Sequence, residues 1–461
     1  MRSLFSSAVL LLLAGGTGQA QDKVNLAYTL DTLPNGLRVV YHVDRGAPLA
    51  SVVVGYNVGS KHEEPGRTGF AHLFEHMMFQ GSKNVKDDQH FRLLERVGAA
   101  AGRDINGTTW TDRTNYFESV PPQHLGMALW LESDRMGYLL DAVTPAKLEN
   151  QREVVKNERR QGVDNQPYGT WFEYTFGYAF PDEHPYHHPV IGSMKDLTAA
   201  TQEDVSAFFR TYYAPNNAVL VLAGDFDIAE ARRLVTQYFG PLPRGPAAPA
   251  APDMSVPALV GREVRAVVPD NVPLPRVYAA FRIPPLRDRD GWYAGEVLAR
   301  ILGDGRSSRL YAALVRDQQV ASSVNAFTFG LLDGADLLVV TATAKPGVAA
   351  DSLERAVLAE IERARLTPPA ADEMRRVVNR AQYQLADQLQ SLGGFGGRAD
   401  QLAQYATFFG DPGEVNRLLE RFSGVKPDAV AGLARERLVE SNRVLLIYVP
   451  RQERPREASD E

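Results

Sequence analysis

Two hydrophobic rhythms run along the chain. LRVVYHV (37–43) and LASVVVGYNVG (49–59) are dense in Val and Tyr, with an Asp-Arg-Gly-Ala-Pro turn between them, and predict strands. From Gly66 to Gly81 apolar residues fall at 70, 73, 74, 77 and 78, a helical stripe. FRLLERVG (91–98) predicts a short helix ended by glycine. NGTTWTDRTNYFESV (106–120) is rich in Thr and aromatics without a helical period and predicts a strand pair. Residues 124–140 form an amphipathic helix, and 144–161 another, capped by Thr144 with Pro145 in its first turn. NNAVLVLAGDFD (216–227) predicts a buried strand and turn, followed by a helix over 228–239.

The same grammar returns later. Strands are predicted at 277–285, at ASSVNAFTFG, at 335–344 and at 442–450. Helices are predicted at 292–303 and from about 350 to 391, broken near Thr367-Pro368-Pro369, and SLGGFGG (391–397) interrupts the next. Strands and helices mix without regular alternation, which predicts α+β layers rather than a doubly wound sheet. PLPRGPAAPAAPDMSVPALVG (241–261) carries six prolines and reads as a stiff linker. The expected division is a first domain over 22–240, a linker over 241–262, a second domain over 263–450 and a disordered tail over 451–461.

The N-terminus breaks from this pattern. Arg2 is its one charge, Leu4 to Ala14 are largely apolar, and Gly18-Gln19-Ala20 places small residues before Gln21. This is the form of a secretory signal peptide over 1–20, cleaved after Ala20, so a periplasmic protein is expected. No later window holds 18 uninterrupted apolar residues, and no membrane span is expected. A net charge of -6 without a basic run gives no reason to expect nucleic acid as partner. There are no cysteines, which rules out thiol catalysis, disulfides and cysteine metal sites. Any metal must be held by His, Asp or Glu.

Inside the first helical stripe sits HLFEH, with His72, Glu75 and His76. Residues four apart share a helix face, so His72 and His76 can offer two imidazoles to one ion. Glu75 stands beside that face, placed for a water on the metal rather than for the metal itself. Zinc held by three protein groups lowers the pKa of its water and polarises a carbonyl, and a nearby carboxylate can then move the proton. Unpaired His and Glu are costly on an otherwise apolar helix, so this spacing favours a site. The third ligand is sought in LENQREVVKNERRQ (148–161), where Glu149, Glu153 and Glu158 are candidates that periodicity does not separate. His184, His187 and His188, among prolines, predict a loop with exposed imidazoles rather than a second metal site.

These stretches resemble the pitrilysin/insulinase family of zinc metallopeptidases with the inverted HxxEH motif. The resemblance rests on GSKHEEPGRTGFAHLFEHMMFQGS (59–82), NGTTWTDRTNY (106–116), REVVKNE (152–158), YYAPNNAVLVLAGDFD (212–227) and, more weakly, LGDGRSSRLYAAL (302–314). It is greatest with the short bacterial members, in which one chain supplies half of a peptidase. It implies two tandem homologous domains, each a mixed, mostly antiparallel sheet packed with helices, and two halves closing around a chamber. It implies Zn2+ held by His72, His76 and Glu158, with Glu75 as general base. The family's usual gap after the second histidine lands on Glu153 instead, but the local pattern fits Glu158. A glutamate common in the family seven residues before the ligand is Gln151 here. Asn106 begins the strand that in the family runs beside the active site, and is a substrate-binding candidate.

The family also places an Arg and a Tyr, seven apart, facing the zinc. Here Arg316 is present but Ser323 stands at the Tyr position. The resemblance therefore implies a heterodimer with a zinc-less homologous subunit, with a homodimer as the alternative, acting on peptides or unfolded segments. The competing functional reading is a non-catalytic peptide-binding or structural subunit of a peptidase-like complex.

Overall fold

The structure, a computed structural model, describes residues 24–451. The signal peptide read at 1–20 and the tail after Arg451 lie outside the described residues. The first sheet contains β1 (Thr29–Thr32), β2 (Arg38–Val43), β3 (Ala50–Tyr56), β4 (Ile105–Thr109), β5 (Thr114–Val120) and β6 (Ala218–Gly224), in the order β1-β2-β6-β3-β5-β4. The second contains β7 (Val264–Asp270), β8 (Arg276–Ile283), β9 (Ala321–Thr328), β10 (Asp336–Ala344) and β11 (Arg443–Pro450), in the order β7-β11-β8-β10-β9. Helices α1 (Phe70–Met77), α2 (Gln89–Arg96), α3 (Leu125–Tyr138), α4 (Pro145–Arg159), α5 (Trp171–Ala179), α6 (Met194–Ala199), α7 (Gln202–Tyr212) and α8 (Ile228–Phe239) accompany the first sheet in sequence. The second is accompanied by α9 (Arg289–Gly303), α10 (Ala350–Leu366), α11 (Ala371–Gln388), α12 (Arg398–Phe409), α13 (Leu418–Gly424) and α14 (Pro427–Arg437). This is the α+β class the sequence predicts.

The two sheets repeat one topology. β2 pairs parallel with β6, and β6-β3-β5-β4 continue antiparallel. β7 pairs parallel with β11, and β11-β8-β10-β9 continue antiparallel. The repeat extends to single hydrogen bonds. The Asn217 side chain donates to the carbonyls of Tyr212 and Asn57. Asn442, at the matching turn before the last strand, donates to Arg437 and Arg282. Each asparagine ties the helix before its strand to the end of the antiparallel neighbour.

Each half also covers the other's sheet. The β3 run ASVVVGY is buried throughout because both faces are packed. Val52 and Val54 face the core shared with α1 and α3, whereas Val53 joins Phe117, Val219 and Val221 under Leu402, Ala403 and Ala406 of α12. Reciprocally, Phe176 and Ala179 of α5 pack on Tyr278, Leu337, Val339 and Leu446 of the second sheet. No helix or strand lies between Phe239 and Val264, yet this segment is tied down. The Arg282 guanidinium donates to the carbonyls of Pro257 and Leu259 within it and of Ala179 at the end of α5.

Candidate active site

Helix α1 has eight residues, too few to be stable alone. Phe70, Leu73, Phe74 and Met77 bury its core side, each such side chain contributing roughly 1.5–3 kcal/mol. Its N-terminal amides are satisfied from a distance. Glu63, whose side chain is fully enclosed, accepts from Gly69 N at 2.9 Å and Ala71 N at 2.7 Å. Burial pushes the Glu63 carboxyl up to about 8, and the hydrogen bonds from the Ala71 and Gly69 amides oppose that rise. The helix is thus held by its apolar side and its N-terminal end, leaving His72 and His76 to face α4.

Glu158, in the last turn of α4, meets both histidines. Its Oε2 lies 3.7 Å from His72 Nε2 and 3.4 Å from His76 Nε2. Of the three glutamates on α4 weighed as ligands, Glu149 pairs with Arg152 and Glu153 with Lys156, and Glu158 reaches the imidazoles. His76 Nδ1 faces Gln151 Oε1 at 3.2 Å. If Nδ1 donates there, Nε2 presents a lone pair to a carboxylate oxygen, an arrangement that calls for a cation between them. His72 Nδ1 is buried without a hydrogen-bond partner. The ligand atoms of all three residues lie within 4.8 Å of one another. Two imidazole nitrogens and one half-exposed carboxylate are a donor set that fits zinc.

Without a metal, the three groups are linked through Glu158. Burial, then the neighbouring His76 charge, pulls His72 down to about 4. Burial also pulls His76 down, but hydrogen bonding to Glu158 and that carboxylate's charge lift it above the ordinary histidine value. The hydrogen bond from His76, against some burial, holds Glu158 below the usual carboxylate range.

Glu75 points toward β4 rather than α4. Its Oε2 accepts from Thr109 Oγ1 at 2.6 Å, and 8% of the residue is exposed. Burial raises its pKa, opposed by the Thr109 hydrogen bond and the nearby His76 charge. Gly107 makes room for it, since a Cβ there would lie 2.9 Å from Glu75 Cγ. Spacing in the sequence does not single out Gly107 or Thr109. Their signal is the Gly and Thr at alternate positions of a strand with a carboxylate above it.

Asn106, on edge strand β4, has its Oδ1 on Gly107 N at 2.9 Å and its Nδ2 on Gly102 O at 3.3 Å. Trp110 N donates to Arg113 O and Ser119 N to Asp104 O. Even-numbered residues of β4 therefore direct their backbone groups to β5; of the odd-numbered ones, Ile105 gives its carbonyl to Gly102 N at 2.9 Å, and Gly107 and Thr109 turn theirs to the free edge. Asn106 thus covers one edge amide in this state.

The histidine loop departs from expectation. His184 is buried and stacked on Phe180, with Nε2 on Met254 O at 3.2 Å. His187 Nδ1 faces Phe180 O at 2.9 Å and His188 Nδ1 faces Glu63 at 3.5 Å. The imidazoles are packed rather than exposed because each finds a separate acceptor, and they do not converge. A buried group of His90, Glu118 and Glu132 does converge, but the Arg135 guanidinium already sits among them, bonded to Glu132. Arg316 pairs with its neighbour Asp317, and Ser323 lies exposed on edge strand β9.

Comparison with known proteins adds to this geometry. Residues 38–174 match the family described as insulinase (peptidase family M16), and residues 199–381 match the peptidase M16 inactive domain. The chain is 32% identical to the zinc protease PqqE of Helicobacter pylori, over 78% of this chain and 80% of that protein. It superposes on the crystal structure of a protease from Helicobacter pylori with a TM-score of 0.83 and 27% identity, covering 92% of this chain and all of the other. The first half of the periplasmic protease PqqL from Escherichia coli shares the fold, with a TM-score of 0.73 and 20% identity over 92% of each chain. No helix among the described residues is long and apolar enough to cross a membrane.

Proposed function

From the premise that the chain belongs to the insulinase (M16) peptidase family, we propose that it is a zinc-dependent endopeptidase acting on peptides or unfolded segments. The observation that carries this reading is the convergence of His72, His76 and Glu158 beside a buried, separately held Glu75. His72, His76 and Glu158 would hold the zinc, with Gln151 orienting His76. Zinc, when bound, supplies a Lewis acid that activates water and polarises the scissile carbonyl. The chain's own groups do the rest. The outward backbone of Gly107 and Thr109 pairs an extended substrate along β4, which brings its carbonyl beside α1. Glu75, with a pKa raised by burial, takes the proton of the attacking water. The same carboxyl then protonates the leaving nitrogen, so one group serves both steps. Thr109 keeps the carboxyl turned toward the strand throughout.

Ser323 at the expected Tyr position supports a two-chain assembly, in which a zinc-less homologous subunit supplies the missing donor and closes a chamber over the site. We propose that this chain is its catalytic member and acts in the periplasm after loss of residues 1–20. Elemental analysis tests the metal site. Wild type and Glu153→Gln should each bind about one zinc per chain, whereas Glu158→Gln should lose affinity at least about tenfold. Equal zinc retention by Glu158→Gln refutes the ligand set. A non-catalytic subunit predicts instead that zinc-loaded wild type and Glu75→Gln are equally inert toward an unstructured peptide.

A further inference from the structure

The SLGGFGG stretch, residues 391–397, joins α11 to α12 and lies on the first sheet although it belongs to the second half. Its glycines have steric reasons. A Cβ at Gly393 would stand 2.2 Å from Ser119 Oγ and 2.3 Å from Ser51 Oγ, so the loop lies flat on β3 and β5. Gly394 and Gly396 take positive φ angles of 75° and 71°, which favour glycine. Asp400 pins the loop, accepting from Gly396 N at 2.9 Å and from Asn115 Nδ2 on β5 at 2.5 Å. Between these glycines stands Phe395. Its ring packs edge-on against Phe117 of β5 at 5.0 Å, yet 58% of the residue is exposed. A rigid loop that presents a large apolar ring to water gains little stability from that ring.

The place of the ring gives it a use. Phe117 is paired in register with Asn106 of β4, so both side chains stand on the sheet face away from Glu75. Gly394 approaches Arg103, where the chain enters β4, with a Cβ there 3.5 Å from Arg103 O. Gly107 and Thr109 face Glu75 on the other side. A peptide added to the free edge of β4 points alternate side chains to the two faces. The residue opposite Gly107 faces Glu75, and its neighbours face the side where Asn106, Thr108 and Phe395 stand.

We propose that Phe395 is a specificity-determining residue: the second half's loop sets an aromatic wall beside β4 that selects bulky apolar side chains at substrate positions of one parity, flanking the residue that faces Glu75. The proposal deepens the peptidase reading and rests on it for the site, but it concerns binding selectivity, which can be measured apart from turnover.

The probes are ten-residue unstructured peptides carrying Gly, Leu, Phe or Glu at single positions around the cleaved bond. With zinc-loaded wild type, Leu or Phe at alternate positions should raise kcat/KM over Gly. Phe395→Ser should remove that preference, raising KM about tenfold for the Leu and Phe peptides while changing the Gly peptides less than about twofold. The same peptides, fluorescently labelled, are titrated into Glu75→Gln with and without Phe395→Ser. Selective binding lost with Phe395 supports the subsite whether or not the chain alone cleaves, so its failure is told apart from failure of the peptidase reading. Cleavage with no Phe395-dependent preference, or an equal loss for every peptide, overturns the subsite. A change in oligomeric state with unchanged selectivity also overturns it and assigns the ring to a subunit contact. The far-ultraviolet spectrum and melting temperature of Phe395→Ser should match wild type, since the ring is largely exposed.

Discussion

Gly107 lacks a side chain at the point where Glu75 occupies the space one would fill. Gly107→Ala should therefore push the Glu75 carboxyl aside. A misplacement of this kind should lower kcat about a hundredfold while the protein stays folded and zinc-bound, as steady-state kinetics and zinc content would show. Gln151 acts on the other side of α1. It offers His76 Nδ1 an amide oxygen, and an ionised carboxylate would be a stronger acceptor. Gln151→Glu should tighten zinc binding about tenfold in chelator competition; unchanged affinity would show that His76 does not depend on this contact. A third residue sets a pH dependence. His62 accepts from Gly59 N at 3.1 Å beside Tyr212, and burial, with the Lys61 charge next, pulls it down to about 4. Above about 6.5 the ring is neutral in both folded and unfolded chains, so its contribution is constant there. As pH falls from 6.5 to 4 the unfolded chain takes up a proton that the folded chain refuses, and stability drops. The loss is up to roughly 2–3 kcal/mol, lessened by the ring's partial exposure. Urea midpoints at pH 4.5 and 7.5 should differ less in His62→Asn, which keeps an acceptor for Gly59.

At the scale of elements, the strands and helices around the site were legible because their apolar pattern is simple. The helical stripe over 66–81 contains α1, the Thr144-Pro145 cap opens α4, and 228–239 is α8. Elements with the wrong pattern escaped. α5 reads WFEYTFGYA, apolar on most sides, because it is wedged onto the second sheet rather than laid on a surface. β7 alternates exposed and half-buried positions as an edge strand, and follows so soon after the proline-rich segment that it merges with it. α7 had a readable start, since Thr201 and Asp204 form a capping box. The convergence of Glu158, rather than Glu149 or Glu153, on the histidines was not fixed by periodicity. It depends on how α4 crosses α1, which is tertiary information. The exchange of α5 and α12 between halves was likewise invisible, as neither helix states in its own sequence which sheet it covers. One consequence is testable. Leu402, buried on the first sheet, belongs to the second half. Leu402→Ala should cost about 2–4 kcal/mol in urea denaturation and lower the first half's resistance to proteolysis as well as the second's.

At the scale of the molecule, each half completes the other, so residues 24–240 expressed alone should leave Val40, Val53, Phe117 and Val221 uncovered and fail to fold stably. Co-expression with residues 241–451 should recover a soluble complex, and size-exclusion chromatography would show it. The proposed assembly makes a second demand. With Ser323 in place of a donor, the isolated chain should turn over slowly, and a homologous subunit carrying the Arg and Tyr should raise the rate about a hundredfold. Full turnover by the chain alone would refute that requirement while leaving the zinc site intact. In the proposed mechanism Glu75 moves the proton beside zinc held by His72, His76 and Glu158. Its most direct test is cleavage of one unstructured peptide by wild type and Glu75→Gln at matched zinc content, followed by mass spectrometry of the products. Wild type should cleave measurably, and Glu75→Gln, with zinc retained, at a rate at least about a hundredfold lower. Equal rates in the two zinc-loaded proteins would contradict that mechanism.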